Sequence, residues 1–150
     1  MVALEVAPEY GWVVLGAGLG PVIMNFYLSG PVMAARGRLD VPYPNCYAVP
    51  GVHKHADEFN RVQRSHQNYL ENIGGYTVMT LLGGLKHPLA CAVGTVLYFV
   101  GSALYQKGYI DITLDAKDAR YKKGGLVKWF GFLISFYSTG ALAYSLITSG

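Results

Sequence analysis

Residues 10–35, 87–106 and 129–150 form three stretches of 26, 20 and 22 residues without a formal charge. An α-helix rises 1.5 Å per residue, so about 20 apolar residues cross the hydrocarbon core of a bilayer. Each stretch is long enough to span on its own. A fourth, 72–85, offers only 14 uncharged residues. It reaches spanning length if its helix starts near Asp57 and carries charged residues into the membrane edge. A soluble helical bundle needs polar helix faces, and these segments lack them. Charged residues make up only 14% of the chain, against about 25% in ordinary soluble domains. The expected fold is therefore all-α: one integral-membrane domain over residues 1–150, a bundle of four transmembrane helices.

Charge asymmetry gives the expected orientation. Eleven of the twelve Lys and Arg residues lie between the first and second segments or between the third and fourth. The positive-inside rule places those two loops in the cytosol and both termini on the other side. The first nine residues carry Glu5 and Glu9 and no cation, unlike a cleavable signal, so the first helix is expected to remain as an anchor. The basic excess sits in residues 107–128, with six cations against three aspartates. That is a flank for anionic headgroups, and no nucleic-acid motif accompanies it.

The second helix carries the chemistry. Arg61, Arg64, Asn68 and Glu71 fall within 80° of one another at about 100° per residue. Charge at membrane depth is costly, so such a stripe faces a partner, a polar ligand or internal water. Both signs are present, which suits a small zwitterion. His66 points about 140° away from Arg61. It reads either as capped by a backbone carbonyl or as belonging to a second, equivalent site in a symmetric ring of subunits. Tyr98, Tyr105 and Tyr109 share one face of the third helix. Tyr105 and Tyr109 lie level with the arginines, as an interfacial belt or as ligand contacts.

Other motifs have plainer readings. Gly16-Ala-Gly-Leu-Gly20 lies inside a membrane segment with no preceding strand, so close helix packing is expected; Gly74-Gly75 and Gly83-Gly84 are read the same way. Pro21 and Pro31 are expected to bend the first helix. His53, His55, Asp57 and Glu58 match no structural zinc spacing, and no metal is expected. Cys46 and Cys91 fall in different compartments of the fold, so no disulfide is expected.

The run Phe59-Asn-Arg-Val-Gln-Arg-Ser-His-Gln-Asn-Tyr-Leu-Glu71, with Ala35-Arg36, Val41-Pro-Tyr-Pro44 and Tyr105-Gln-Lys-Gly-Tyr109, resembles the MAPEG superfamily. These are membrane-associated proteins of eicosanoid and glutathione metabolism. Within it, the pattern is similar to the type-three microsomal glutathione transferases. The resemblance implies four transmembrane helices per subunit, a homotrimer in the endoplasmic-reticulum membrane, and glutathione bound between subunits near the cytosol. It implies that Arg64, Asn68 and Glu71 hold glutathione, that Tyr105 and Tyr109 reach it, and that Arg36 and His66 approach from the adjacent subunit. Related transferases steady the thiolate with an arginine just beyond the second tyrosine. Here residues 110–119 contain none. Arg120 is the candidate, with Lys122 and Lys123 as rivals. The implied activity is conjugation or reduction of a lipophilic substrate from the bilayer by activated glutathione. The alternative is a non-catalytic lipid-binding scaffold like the five-lipoxygenase-activating relative.

Overall fold

The computed structural model describes residues 6–149; Glu5 and Gly150 lie outside them. The helices are α1 (Tyr10–Arg38), α2 (Ala56–Gly84), α3 (Pro88–Tyr109), α4 (Ala116–Lys122) and α5 (Val127–Thr148). The chain is all-α as expected, but five helices are described rather than four. The extra one, α4, is a seven-residue helix in the loop before α5, N-capped by the Asp115 carboxylate, which accepts from Lys117 N–H at 2.8 Å. α1, α3 and α5 are long and apolar enough to cross a membrane. α2 is the most polar of the long helices. At 29 residues it is about 44 Å long, enough to carry its charged first half beyond an apolar second half.

The start of each helix follows from its sequence. Pro88 occupies the first turn of α3, where its missing N–H costs nothing. In α1 the backbone widens into π-helical turns over Val14–Leu19, just ahead of Pro21, and the helix continues through Pro31. Both prolines are thus accommodated within a continuous α1.

Contacts between helices give an up-down-up-down order. Tyr10 on α1 bonds Leu81 on α2, and farther along α1 His66 meets Asn25, so α1 and α2 are antiparallel. α3 opposes α2, with Gln106 beside Ser65 and Tyr98 stacked on Tyr76. α5 runs alongside α2 in the same direction, with Lys128 on Asn68 and Thr139 on Met79. The turn at Lys86–His87 and the last turn of α5 share one end. The loops 39–55 and 110–126 share the other, basic end.

The mid-bundle core is aromatic and small-residue packed. Tyr76 and Tyr98 stack at 3.7 Å, with Tyr69, Leu28 and Phe132 around them. Thr80 and Ser135 join α2 to α5 through hydroxyls 2.8 Å apart. Without a hydrophobic drive between helices in lipid, close approach and such hydrogen bonds hold them. Gly16 and Gly20 abut Thr95 and Phe99 on α3, and Gly83 and Gly84 abut Ser138 and Val13. The packing expectation holds for these four. Gly74 and Gly75 face open space within the chain, so they serve no contact here. At the basic end, loop 39–55 folds back on a second cluster of Val32, Val41, Ala48, Phe59 and Val62. Asn60 fastens it by accepting from Ala48 N–H and donating to its carbonyl, at 2.8 and 2.9 Å.

Candidate functional site

The basic end gathers most of the residues singled out above, in three groups. The first lies on the exposed face of α2. Arg64 and Glu71 form an ion pair of 2.5 Å, each side chain more than 40% exposed. Beside them opens a cleft of about 770 Å³ lined by Tyr47, Asp57, Asn60, Arg61, Arg64, Tyr109 and Ala116. Two arginines and two tyrosines line it together with one carboxylate, Asp57, a setting for a polar molecule that carries both signs of charge.

Arg61 belongs to the stripe in sequence but has a structural task. Its guanidinium donates to the carbonyls of Tyr109, Leu114 and Asp111 at 2.9, 3.0 and 3.0 Å. Three carbonyls around one guanidinium use most of its five donors. Arg61 thereby fixes the chain leaving α3 and sets where α4 begins.

The second group surrounds Tyr105, which is buried. Tyr109 lies 5.9 Å away on the same face and Tyr121, from α4, 6.1 Å away edge-on. The Lys128 ammonium sits 4.0 Å from the centre of the Tyr105 ring. Arg120 lies beside the Tyr105 phenol and 5.3 Å from the Tyr121 ring. Its Nε is buried without a hydrogen-bond partner. Two glycines allow this approach. A Cβ on Gly108 would strike the Ala119 carbonyl, and one on Gly125 would strike the Arg120 carbonyl and the Tyr105 backbone. Small residues at these two points let α4 lie against the end of α3 and deliver Arg120 to Tyr105.

The rivals of Arg120 are placed differently. Lys123 pairs with Asp111 at 2.6 Å, and Lys122 is exposed. The Lys123 bond, reinforced by the Thr113 hydroxyl and N–H, holds the Asp111 carboxyl well below the usual carboxylate range.

The third group stands apart from both. Arg36 donates to the carbonyls of Val41 and Asn45, both at 2.8 Å, and packs over the rings of Tyr43 and Phe59. Within one chain it organises the 41–45 turn and does not meet Arg64. His66 faces away from the stripe, as its helical angle requires, and pairs with Asn25 at 2.8 Å. Its partner is a side chain on α1 rather than a backbone carbonyl.

Lys128 escaped the sequence reading, which counted it with the basic flank. It is 3% exposed, and its ammonium donates to Asn68 Oδ1 at 2.6 Å. The signal lay in its position: it falls inside α5 rather than before it, where a flanking lysine would sit. Cys46 and Cys91 are both free. His53 accepts from Val49 N–H at 3.0 Å, and among the described residues no three His, Cys, Asp or Glu side chains converge as metal ligands.

A helical chain with three apolar spans carries a zwitterionic stripe and an arginine-flanked tyrosine at its basic end. The sequence profile described as the MAPEG family matches residues 14–148, and the chain belongs to that family.

Proposed function

We propose that this protein is a glutathione-dependent membrane enzyme that conjugates lipophilic electrophiles or reduces lipid hydroperoxides. The family includes glutathione transferases and peroxidases as well as non-catalytic lipid-binding members. The observation that carries the enzymatic reading is Tyr105, buried between Arg120 and Lys128. A lipid scaffold has no use for two cations around a phenol, whereas a thiolate does.

Glutathione brings two carboxylates, one ammonium and a thiol. Arg64 suits a carboxylate through paired charge-assisted bonds, and Glu71 suits the ammonium. The two already form a pair in the free chain, so binding exchanges one ion pair for two. Asn68 meets the peptide. Arg36 and His66 are assigned to the site from a neighbouring subunit, because neither reaches Arg64 within one chain.

The reacting species is the thiolate. At pH 7 a thiol of ordinary pKa is about 3% ionised, and lowering that pKa by about two units takes about 2.7 kcal/mol of differential stabilisation. The Arg120 guanidinium remains charged and, with the Tyr105 hydroxyl as donor, can supply it. In conjugation the thiolate forms a C–S bond as the leaving group departs with its electron pair. In peroxide reduction the thiolate attacks the terminal oxygen as the O–O bond breaks, the lipid alkoxide takes up a proton and leaves as the alcohol, and a second glutathione thiol displaces water from the resulting sulfenic acid to form the disulfide. The apolar substrate comes from the bilayer, which the exposed rings of α1 and α5, such as Phe26, Phe130 and Phe136, face.

We further propose a single four-span domain over residues 1–150, allied to the type-three microsomal transferases, with α2 as the fourth span. The working form is a homotrimer in the endoplasmic-reticulum membrane with its basic loops toward the cytosol. Purified protein assayed with glutathione against an aryl halide and a lipid hydroperoxide tests the activity. Turnover of either supports it. Binding of lipid without turnover of either replaces it with the scaffold reading.

A further inference from the structure

Lys128 is a buried cation in an apolar helix, and no carboxylate pairs with it among the described residues. A charge removed from water needs compensation. Here it comes from one amide oxygen and two aromatic faces. Nζ lies 2.6 Å from Asn68 Oδ1, 4.0 Å from the centre of Tyr105 and 5.0 Å from that of Trp129. The backbone at Lys128 is pressed against Gly101 of α3, where a Cβ would collide with it. The stem of the lysine is therefore anchored, and its head is aimed at Asn68.

This contact decides which way the Asn68 amide points. An ammonium has three donors and no acceptor. It can bond only the carbonyl oxygen of Asn68, so the amide cannot be turned round without placing N–H against N–H. The Nδ2 group is left on the other side, with no hydrogen-bond partner among the described residues and not fully enclosed. The Asn68 carbonyl on the main chain is also occupied, by Asn72 Nδ2 at 2.6 Å. What Asn68 turns outward is thus its Nδ2 donor, with its side-chain oxygen held on the Lys128 side.

We propose that Lys128 is a positioning residue that locks Asn68 as a hydrogen-bond donor, so that this point of the site recognises an acceptor: a carboxylate or peptide carbonyl of the bound peptide. The assignment rests on the glutathione reading above. It goes beyond that reading by giving Asn68 one polarity and by placing its control on α5.

Two variants separate the idea from simple structural support. Asn68→Asp keeps an acceptor for Lys128 and removes the outward donor. It is expected to keep or raise the melting temperature while weakening glutathione binding about tenfold, the worth of one hydrogen bond of roughly 1.4 kcal/mol. Lys128→Met keeps the length and bulk of the stem and frees the amide to rotate. It is expected to weaken binding severalfold in wild-type Asn68 and to have no further effect in Asn68→Ala, because it acts through that residue.

Isothermal calorimetry with glutathione on detergent-purified, monodisperse protein reads both. Undiminished binding by Asn68→Asp overturns the donor assignment. Additive effects of Lys128→Met and Asn68→Ala overturn the coupling. If Lys128→Met does not yield monodisperse protein, the Asn68→Asp result decides alone. Absence of glutathione binding by the unmodified protein overturns this proposal and the glutathione reading together. Failure of only the variants, with normal binding by the parent, overturns this one and leaves the other standing.

Discussion

Arg64 and Glu71 stand seven residues apart on one exposed face of α2 and close an ion pair of 2.5 Å. Exposed pairs of this kind contribute about 0–1 kcal/mol to stability. Their removal should therefore cost the fold little and the ligand much. Arg64→Ala is expected to shift thermal stability by less than about 1 kcal/mol and to weaken glutathione binding by about 2 kcal/mol, the range of a hydrogen bond to a charged group. Calorimetry beside a melting curve checks both. A large loss of stability with unchanged binding would make the pair architectural and move the ligand elsewhere.

Orientation has its own test. Lys54 is exposed in the 39–55 loop, and so is Cys46. In a Cys46→Ser background, Lys54→Cys should react with a membrane-impermeant thiol reagent only after the cytosolic face is opened. Labelling from the lumenal side would reverse the topology given by the positive-inside rule.

Sites shared between subunits predict complementation. Within one chain Arg36 is bonded to Val41 and Asn45 and His66 to Asn25, so the proposed site takes both from a neighbour. Mixed oligomers of Arg36→Ala and Arg64→Ala subunits should recover glutathione sites that neither variant has alone. Arg36 also holds the Val41 and Asn45 carbonyls, so verified, monodisperse mixed assemblies are the sample to measure. No recovery in them would place the whole site in one subunit.

The loop that delivers Arg120 has a defined acid sensitivity. Asp111 accepts from Lys123 and Thr113, and its carboxyl titrates below the ordinary range. A depressed folded-state pKa gives stability that is present above the unfolded value, about 3.9, and is lost as pH falls through the folded value. Amide exchange over residues 110–115 should therefore stay slow from neutral pH to below pH 4. Asp111→Asn should speed it at neutral pH. If it leaves exchange unchanged, the Arg61 bonds to three carbonyls hold the loop unaided.

Much of this arrangement could be read in the sequence, and the exceptions have physical causes. Uncharged runs located α1, α3 and α5 because hydrophobic length leaves a direct trace. The start of α2 near Asp57 followed from the length it needed, and the structure begins it at Ala56. α4 was missed, since seven residues are too few for a periodic signal, although Asp115 ahead of Asp118 has the pattern of a capped first turn. Arg61 shares the helical face of Arg64, but helical angle cannot tell a side chain that meets solvent from one claimed by three loop carbonyls. Lys128 was hidden by an averaging rule. Counting cations per loop gives orientation and is blind to the single one that turns inward.

In the proposed mechanism, activation of the thiol rests on the loop after Tyr109. The geometry of that loop favours Arg120 over Lys122 and Lys123. Lys123 is committed to Asp111, Lys122 is exposed, and Arg120 keeps a buried, unpartnered Nε beside Tyr105. A guanidinium also holds its charge beside an apolar wall more firmly than an ammonium that lacks a hydrogen-bond acceptor. Arg120→Ala should accordingly lower turnover far more than glutathione affinity. Loss of a shift of about two units cuts the thiolate fraction more than tenfold at pH 7. Ultraviolet absorbance of the bound thiolate, titrated with pH, reads the change directly. The expected result is a titration moved toward the free thiol in Arg120→Ala and unmoved in Lys122→Ala and Lys123→Ala. The reverse pattern would transfer the role to a lysine. If none of the three moves it, Tyr105→Phe and Lys128→Met are the next variants to titrate, because the phenol hydroxyl and the Lys128 ammonium also stand in the cluster.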